Sequence, residues 1–264
     1  MGGGAPVVSG LGKGLGIALQ AGIAAVLLLL AWQLAHGIGA FPAAVPSPID
    51  VGRAAGDLLG SSRFWTAVGQ TLSVALIGWA IAAVIGVLLG MLIGTIPLLE
   101  HASSVLVEFG RSFPMVAILP IVILIMGANA RMEIFLVALS CFWPVLVQTI
   151  YGVRRLDPAV VDTVQVFRIP TLLRVRRVLL PAAMPFISTG LRVASSIAIL
   201  VAIGIEILTQ TPGIGRQITL AQETAHWDVA FAYLFFAGLL GWAIAGGLSA
   251  AESRALRWNR RREG

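Results

Sequence analysis

Cysteine occurs once in this sequence of 264 residues, at Cys141 inside an apolar run, so no intrachain disulfide can form. A cysteine-based metal centre and a secreted disulfide framework are excluded with it. Lysine also occurs once, at Lys13, and charged residues of all kinds make up only 11% of the chain. Histidine is confined to His36, His101 and His226, scattered over predicted loops and span ends with no metal-ligand spacing. The glycine-rich start, Gly2 to Gly4 with Gly10, Gly12, Gly14 and Gly16, contains no Gly-Lys-Ser or Gly-Lys-Thr, so it reads as a flexible tail and not as a phosphate loop. With no cluster of nucleophile, base or metal ligands in the apolar runs, nothing supports an intramembrane enzyme.

What the chain has instead is apolar surface. Hydrophobic residues make up 58% of it, and the mean hydropathy is +0.94, far above what a soluble domain needs for its core. Seventeen of its eighteen basic residues are arginine, but they cluster beside apolar runs and form no open basic face interleaved with aromatics, which argues against a nucleic-acid binder. A helix crossing hydrocarbon needs about 20 mainly apolar residues. Six candidates fit: about Leu15 to Ala35, Thr66 to Ile96, Pro114 to Met126 (extendable back to Val105), Ile134 to Val153, Gly190 to Leu208 and Val229 to Ala250. The first has an apolar core longer than a signal-peptide h-region, which favours a retained helix. In the second, Gly78, Gly86, Gly90 and Gly94 fall on nearly one helix face and invite close approach of another helix. Gly110 and Pro114 predict a bend or broken start in the third.

Arginine placement gives an orientation. With a cytoplasmic amino terminus, the inner side carries Lys13, Arg111, six arginines between Arg154 and Arg177, and five in the tail from Arg254 to Arg262. The outer side carries only Arg53, Arg63, Arg131 and Arg216. That asymmetry is a strong positive-inside signal and fits an even number of spans with both termini inside.

The longest polar interval after the second span, about Arg154 to Ser188, holds the sequence's most specific feature. Asp157-Pro158 offers an N-cap and a first-turn proline, Pro170 ends or kinks that helix, and a second short helix can run to Leu180 before Pro181. The interval resembles the cytoplasmic loop of type I ATP-binding-cassette (ABC) importer permeases, which runs Glu-Ala-Ala, three residues, Gly, and a spacer to Leu-Pro. Asp162-Thr163-Val164 stands for Glu-Ala-Ala, Arg168 for the glycine, and Leu180-Pro181 closes the motif ahead of Ala182-Ala-Met-Pro-Phe-Ile-Ser-Thr-Gly-Leu-Arg192. Phe113-Pro114 with Leu119-Pro120, Phe142-Trp-Pro144 ahead of Gln148-Thr149, Gly152-Val-Arg154 with Asp157-Pro158, and Pro212-Gly-Ile-Gly215 after Glu206 are similar to the sulfonate, taurine, nitrate and bicarbonate branch. The likeness runs from about Pro46 to Trp258.

The resemblance implies an all-α integral membrane protein of about six transmembrane helices with the type I ABC importer permease fold. Its parts would be 1–64 (tail, first helix and outer loop), 65–252 (permease core) and 253–264 (basic cytoplasmic tail) in the inner or plasma membrane. It also implies a second copy of the permease, an extracytoplasmic substrate-binding protein and a cytoplasmic ABC ATPase dimer. That ATPase would hold ATP and magnesium, with no cofactor on this chain and no chemistry of its own. Asp157, Asp162, Thr163, Val164, Arg168, Leu180 and Pro181 would form the ATPase-coupling loop, and Arg168 and the Thr163-Val164 pair alter the turn that docks there.

Four polar residues in or beside the spans have two readings each. Gln148, Ser195 and Ser196 line a path for a small anion, or make ordinary interhelical contacts. Glu206, the one carboxylate set well within a predicted span, is a gate or a contact for the binding protein, or it caps neighbouring backbone. Asn129 and Arg131 fit a solvated outer turn as well as a partner contact. The competing function is an ion-gradient-driven transporter or channel, which would place several ionisable groups near the midplane and show paired broken repeats. Neither is evident here.

Overall fold

A computed structural model describes residues 8–156, 166–167 and 170–255. Its helices are α1 (Val8–Gly37), α2 (Pro48–Leu59), α3 (Ser62–Thr95), α4 (Pro97–Ser112), a 3-10 turn (Met115–Ile118), α5 (Leu119–Met126), α6 (Ala130–Arg154), α7 (Thr171–Arg174), a π-helical turn (Val175–Leu179), α8 (Leu180–Thr209), α9 (Ile214–Glu223) and α10 (Trp227–Ala255). No strand occurs among the described residues. In hydrocarbon each backbone group must be satisfied within the protein, and helices do this segment by segment.

The central pair is α3 and α6. A methyl added at Gly78, Gly86, Gly90 or Gly94 would stand 2.6 to 2.9 Å from a side-chain carbon of Val137, Val145, Thr149 or Val153 respectively. Each glycine of the stripe therefore receives one β-branched side chain from α6, which is why its own Cβ is missing. The two series climb together through the same intervals, so α3 and α6 run parallel. The end of α3 and the start of α6 consequently lie on opposite faces of the membrane, and the segment between them must bring the chain back across.

That segment is the bent pair α4 and α5, whose axes turn by 83° at the break. Two contacts fix where the break lies. Near the start of α4, Glu100 forms an ion pair with Arg154 at the end of α6, and near its finish Gly110 lies under the ring of Trp143 at the middle of α6. Thus α4 climbs along the C-terminal half of α6 and stops halfway, which places Arg111, counted from the sequence among the charges of one membrane face, at mid-depth instead. On α5, Leu119 and Val122 then pack with Met132, Leu136 and Ile205, near the start of α6 and the end of α8. The sequence predicts a bend at Gly110 and Pro114. The structure places it at Phe113 and Pro114, both extended with ψ of 127° and 101°.

The fifth span starts earlier than the sequence suggests. Instead of ending a short helix before Pro181, the chain passes from α7 through the π turn directly into α8, with the Leu180 N–H donating to Val175 O. A proline needs no donor in the first turn of a helix, and the wider turn relieves the crowding its ring causes against the preceding carbonyls. Pro185 is carried inside the same helix. Against α6 this helix runs antiparallel: Gly152 meets Ala183 and Phe186, and Gly190 meets Gln148 and Val145. Further along, the Cys141 thiol donates to Ala194 O at 3.2 Å.

Two segments between the long helices, one of them in the loop expected within residues 1–64, are short helices. For α2, Ser47 is the N-cap, its Oγ accepting from Asp50 N at 3.2 Å, with Pro48 at the first position. For α9, the cap comes from outside the segment, as described below. Both are too short and too polar to cross the membrane.

Candidate translocation cleft and gate region

Irregular backbone at membrane depth is tolerated only where it is buried in protein or lines a water-filled cavity. At the break, Arg111, Ser112, Pro114, Val116 and Ala117 are all exposed. A cleft of about 420 Å³ opens beside them. Gly110, Arg111 and Phe113 form one wall, Trp143 and Val147 of α6 the second, and Ile197 and Val201 of α8 the third. Its polar groups are few. The Arg111 guanidinium grips Glu108 through two hydrogen bonds, Nε to Oε2 at 2.9 Å and Nη2 to Oε1 at 2.5 Å. The Ser140 hydroxyl donates to Leu136 O at 2.8 Å. The indole Nε1 of Trp143 is buried and has no hydrogen-bond partner among the described residues.

None of the four polar residues singled out in the sequence lines this cleft. Gln148 is half-buried, with its Cβ against Gly190. Ser195 is buried and spends its hydroxyl on Arg192 O of its own helix at 2.7 Å. Ser196 is exposed on a neighbouring face of α8.

Glu206 is fully buried, and its geometry is that of a cap. Thr71 of α3 donates its hydroxyl to Glu206 Oε1 at 2.7 Å and lies 3.0 Å from Oε2. Gly215 N, in the first turn of α9, donates to Oε2 at 2.8 Å, and Ile214 N donates to Thr71 Oγ1 at 2.9 Å. One carboxylate and one hydroxyl thus absorb two of the unpaired N–H groups that open α9, and the charge sits at the favourable end of that helix. The same cluster ties the start of α3, the end of α8 and the start of α9 together. Gly213 and Gly215 make room for it: a methyl on either would come within 2.1 to 2.6 Å of Glu206 atoms.

A second buried acid was not singled out in the sequence. Placing the fourth span from Ile134 leaves Glu133 just outside it, but α6 begins at Ala130, capped by Asn129 Oδ1 accepting from Arg131 N and Met132 N. Glu133 is then drawn into the interior at 1% exposure, with Oε1 unpartnered among the described residues. The signal available in the sequence was Asn129 as an N-cap four residues ahead of the acid.

Residues 82–245 match the family described as binding-protein-dependent transport system inner membrane component. This chain belongs to that family. As a permease component of a binding-protein-dependent ABC importer, it has relatives with several cargoes in their names. It is 31% identical over 242 residues to SsuC of Escherichia coli (strain K12), named for aliphatic sulfonates transport, covering 91% of this chain and 90% of that one. To CmpB of Synechocystis sp., a bicarbonate transport system permease protein, it is 29% identical over 232 residues, covering 84% and 82%. NrtB of Leptolyngbya laminosa, a nitrate import permease protein, is 29% identical over 241 residues, with 88% and 85% covered. The fold is that of a solved permease in an inward-facing MetNI methionine ABC transporter, at a TM-score of 0.63 and 17% identity, over 74% of this chain and 95% of that one.

In this permease the residues expected to meet an ATPase fall in two groups. Asp157, Asp162, Thr163, Val164 and Arg168 lie outside the described residues. Leu180 and Pro181 open α8, where Leu180 packs on a cluster of Met91, Val153, Leu179, Ala183 and Ile187 that also takes up Leu156 and Val175. Both ends of the loop are therefore rooted in one apolar knot joining the end of α3, the end of α6 and the start of α8. At its start, Arg155 stacks over the ring of Phe186, 5.9 Å from the centroid.

Proposed function

We propose that this permease is the membrane-spanning subunit of an ATP-driven importer for a small anion of the sulfonate, nitrate and bicarbonate kind, delivered from outside by a substrate-binding protein. It works with a second copy of itself, and a cytoplasmic ABC ATPase dimer holds ATP and magnesium and drives it through the loop from Asp157 to Pro181. The observation that carries this reading is the apolar knot at the root of that loop. Because Leu156, Val175, Leu179 and Leu180 pack together with Met91 and Val153, a push on the loop is a push on α3, α6 and α8 at once. Packed helices shift as units and do not deform continuously, which suits a switch between inward-open and outward-open forms. The arginines flanking the knot support an inner location for the loop and for both termini.

The test is to co-express the chain with its ATPase, purify through a tag on this chain alone, and compare ATPase retention with that of the double variant Asp162→Arg, Val164→Arg. Retention by the unaltered protein and loss by the variant, with equal membrane insertion, is the expected result. If neither retains an ATPase, the ATP-driven reading falls and a gradient-driven transporter takes its place.

A further inference from the structure

We propose that the polar face of α4 lines the cytoplasmic half of the solute path, in a water-filled groove between α4 and α6 that runs from the cleft at the break down to Arg154. This rests on the importer reading above, which puts the Arg154 end of α6 on the cytoplasmic side, and it names the wall along which the solute leaves.

The two faces of α4 differ in kind. Glu100, Ser104, Val107, Glu108 and Arg111 recur at intervals of three and four residues and so share one face. On the opposite face Leu98, Val105, Leu106 and Phe109 are exposed, as a wall against lipid or protein requires. The polar face borders a cleft of about 200 Å³, whose other wall is Val147, Ile150, Tyr151 and Arg154 of α6. Arg111 and Val147 also line the cleft at the break, so the two clefts form one groove. The Glu100–Arg154 ion pair bridges its walls at the far end.

What fills the groove follows from its charges. Among the described residues, Glu108 and Arg111 pair only with each other, one turn apart on the same helix, and their side chains are 65% and 50% exposed. Such a pair joins no two elements and contributes little to stability. Facing hydrocarbon near mid-depth it would be costly, and protein pressed onto it would have to bury both charges. Water solvates them where they stand. Tyr151, on the facing wall, is exposed as well. An aqueous groove that opens toward one side of the membrane and stops against exposed backbone at mid-depth is half of a passage.

The experiment uses the assembled importer in inside-out membrane vesicles, with Cys141→Ala removing the native thiol. It measures the rate at which a charged, membrane-impermeant thiosulfonate reacts with single introduced cysteines. Only a thiolate reacts, and a thiol in hydrocarbon stays protonated. Ser104→Cys on α4 and Tyr151→Cys on α6 stand on the two walls of the groove, whereas Val105→Cys and Leu106→Cys stand on the back of α4. The expected result is reaction at both wall positions at least about tenfold faster than at both back positions. Trapping the ATPase with ATP and vanadate, which closes the cytoplasmic side, should abolish the reaction at the walls. Comparable rates on the two faces of α4, or no reaction on either, overturn the groove. Wall labelling that stays unchanged while the ATPase is trapped makes it a static crevice and overturns its part in transport. If no ATPase is retained or trapped, it is the importer reading that fails, and the ratio of wall to back labelling, which needs no nucleotide, still decides whether the groove holds water.

Discussion

Replacing Thr71 by valine tests the tie between α3, α8 and α9 with almost no change of shape. Thr71 and Glu206 are both fully buried. The Thr71 hydroxyl donates to Glu206 at 2.7 Å and accepts from Ile214 N at 2.9 Å. Thr71→Val removes that donor and that acceptor together, so the carboxylate keeps only Gly215 N, at 2.8 Å, and the Ile214 N–H keeps nothing. A buried group that loses its partner costs about 1–3 kcal/mol, and more when charged, so the expected destabilisation is about 2–5 kcal/mol. Thr71→Ser retains both hydrogen bonds and loses one methyl, about 1 kcal/mol. The readout is built into the chain: Cys141 is its single cysteine and is fully buried, so a thiol-reactive fluorogenic dye reports opening of the α6 and α8 pair on heating. Thr71→Val should melt roughly 5–15 °C below the unaltered protein, and Thr71→Ser only a few degrees below. If the two variants melt together, the hydrogen bonds contribute nothing and the assignment of Glu206 as a cap is wrong.

Gly90→Ala should destabilise by about 1–3 kcal/mol in the same assay, because its methyl would stand 2.6 Å from Thr149 Cβ, whereas Gly56→Ala, with nothing within 4 Å, should be neutral or better. Glu252 of α10 accepts from Ser188 at 2.8 Å and pairs with Arg192 at 3.1 Å. Glu252→Gln should therefore cost about 1 kcal/mol and speed hydrogen exchange in the last turns of α10, and unchanged exchange would show that the pair does not hold that end. In a Cys141→Ala background, Ser62→Cys at the start of α3 should react with an impermeant maleimide from outside intact cells, and Ser104→Cys on α4 should not. Labelling of both from the same side would contradict a crossing by α3.

Span positions are legible because hydrocarbon imposes a length, and the glycine stripe on α3 is legible because one face of a helix repeats at a fixed interval. The start of α8 is not, since Pro181 and Pro185 read as punctuation until a π turn shows how the chain carries them. Glu206 shows a deeper limit. The sequence offers an acid in an apolar run and a Pro-Gly-Ile-Gly stretch after it, but the deciding partner, Thr71, lies 135 residues away. No local pattern reports a contact of that range, nor does it show that Gly213 is small because a carboxylate occupies the space beside it. Glu133 is hidden for the opposite reason: a helix end moved outward by four residues turns a surface acid into an interior one. The broken span combines both kinds of information. Gly110 and Pro114 announce a bend in the sequence, yet a bend alone fits a re-entrant loop as well as a crossing. Only the parallel register of α3 and α6, set by four glycines against four β-branched residues, requires that α4 and α5 together reach the other side. The cleft beside Arg111 and Trp143 opens at that break, so its place in the fold follows from the topology as well as from the residues that line it.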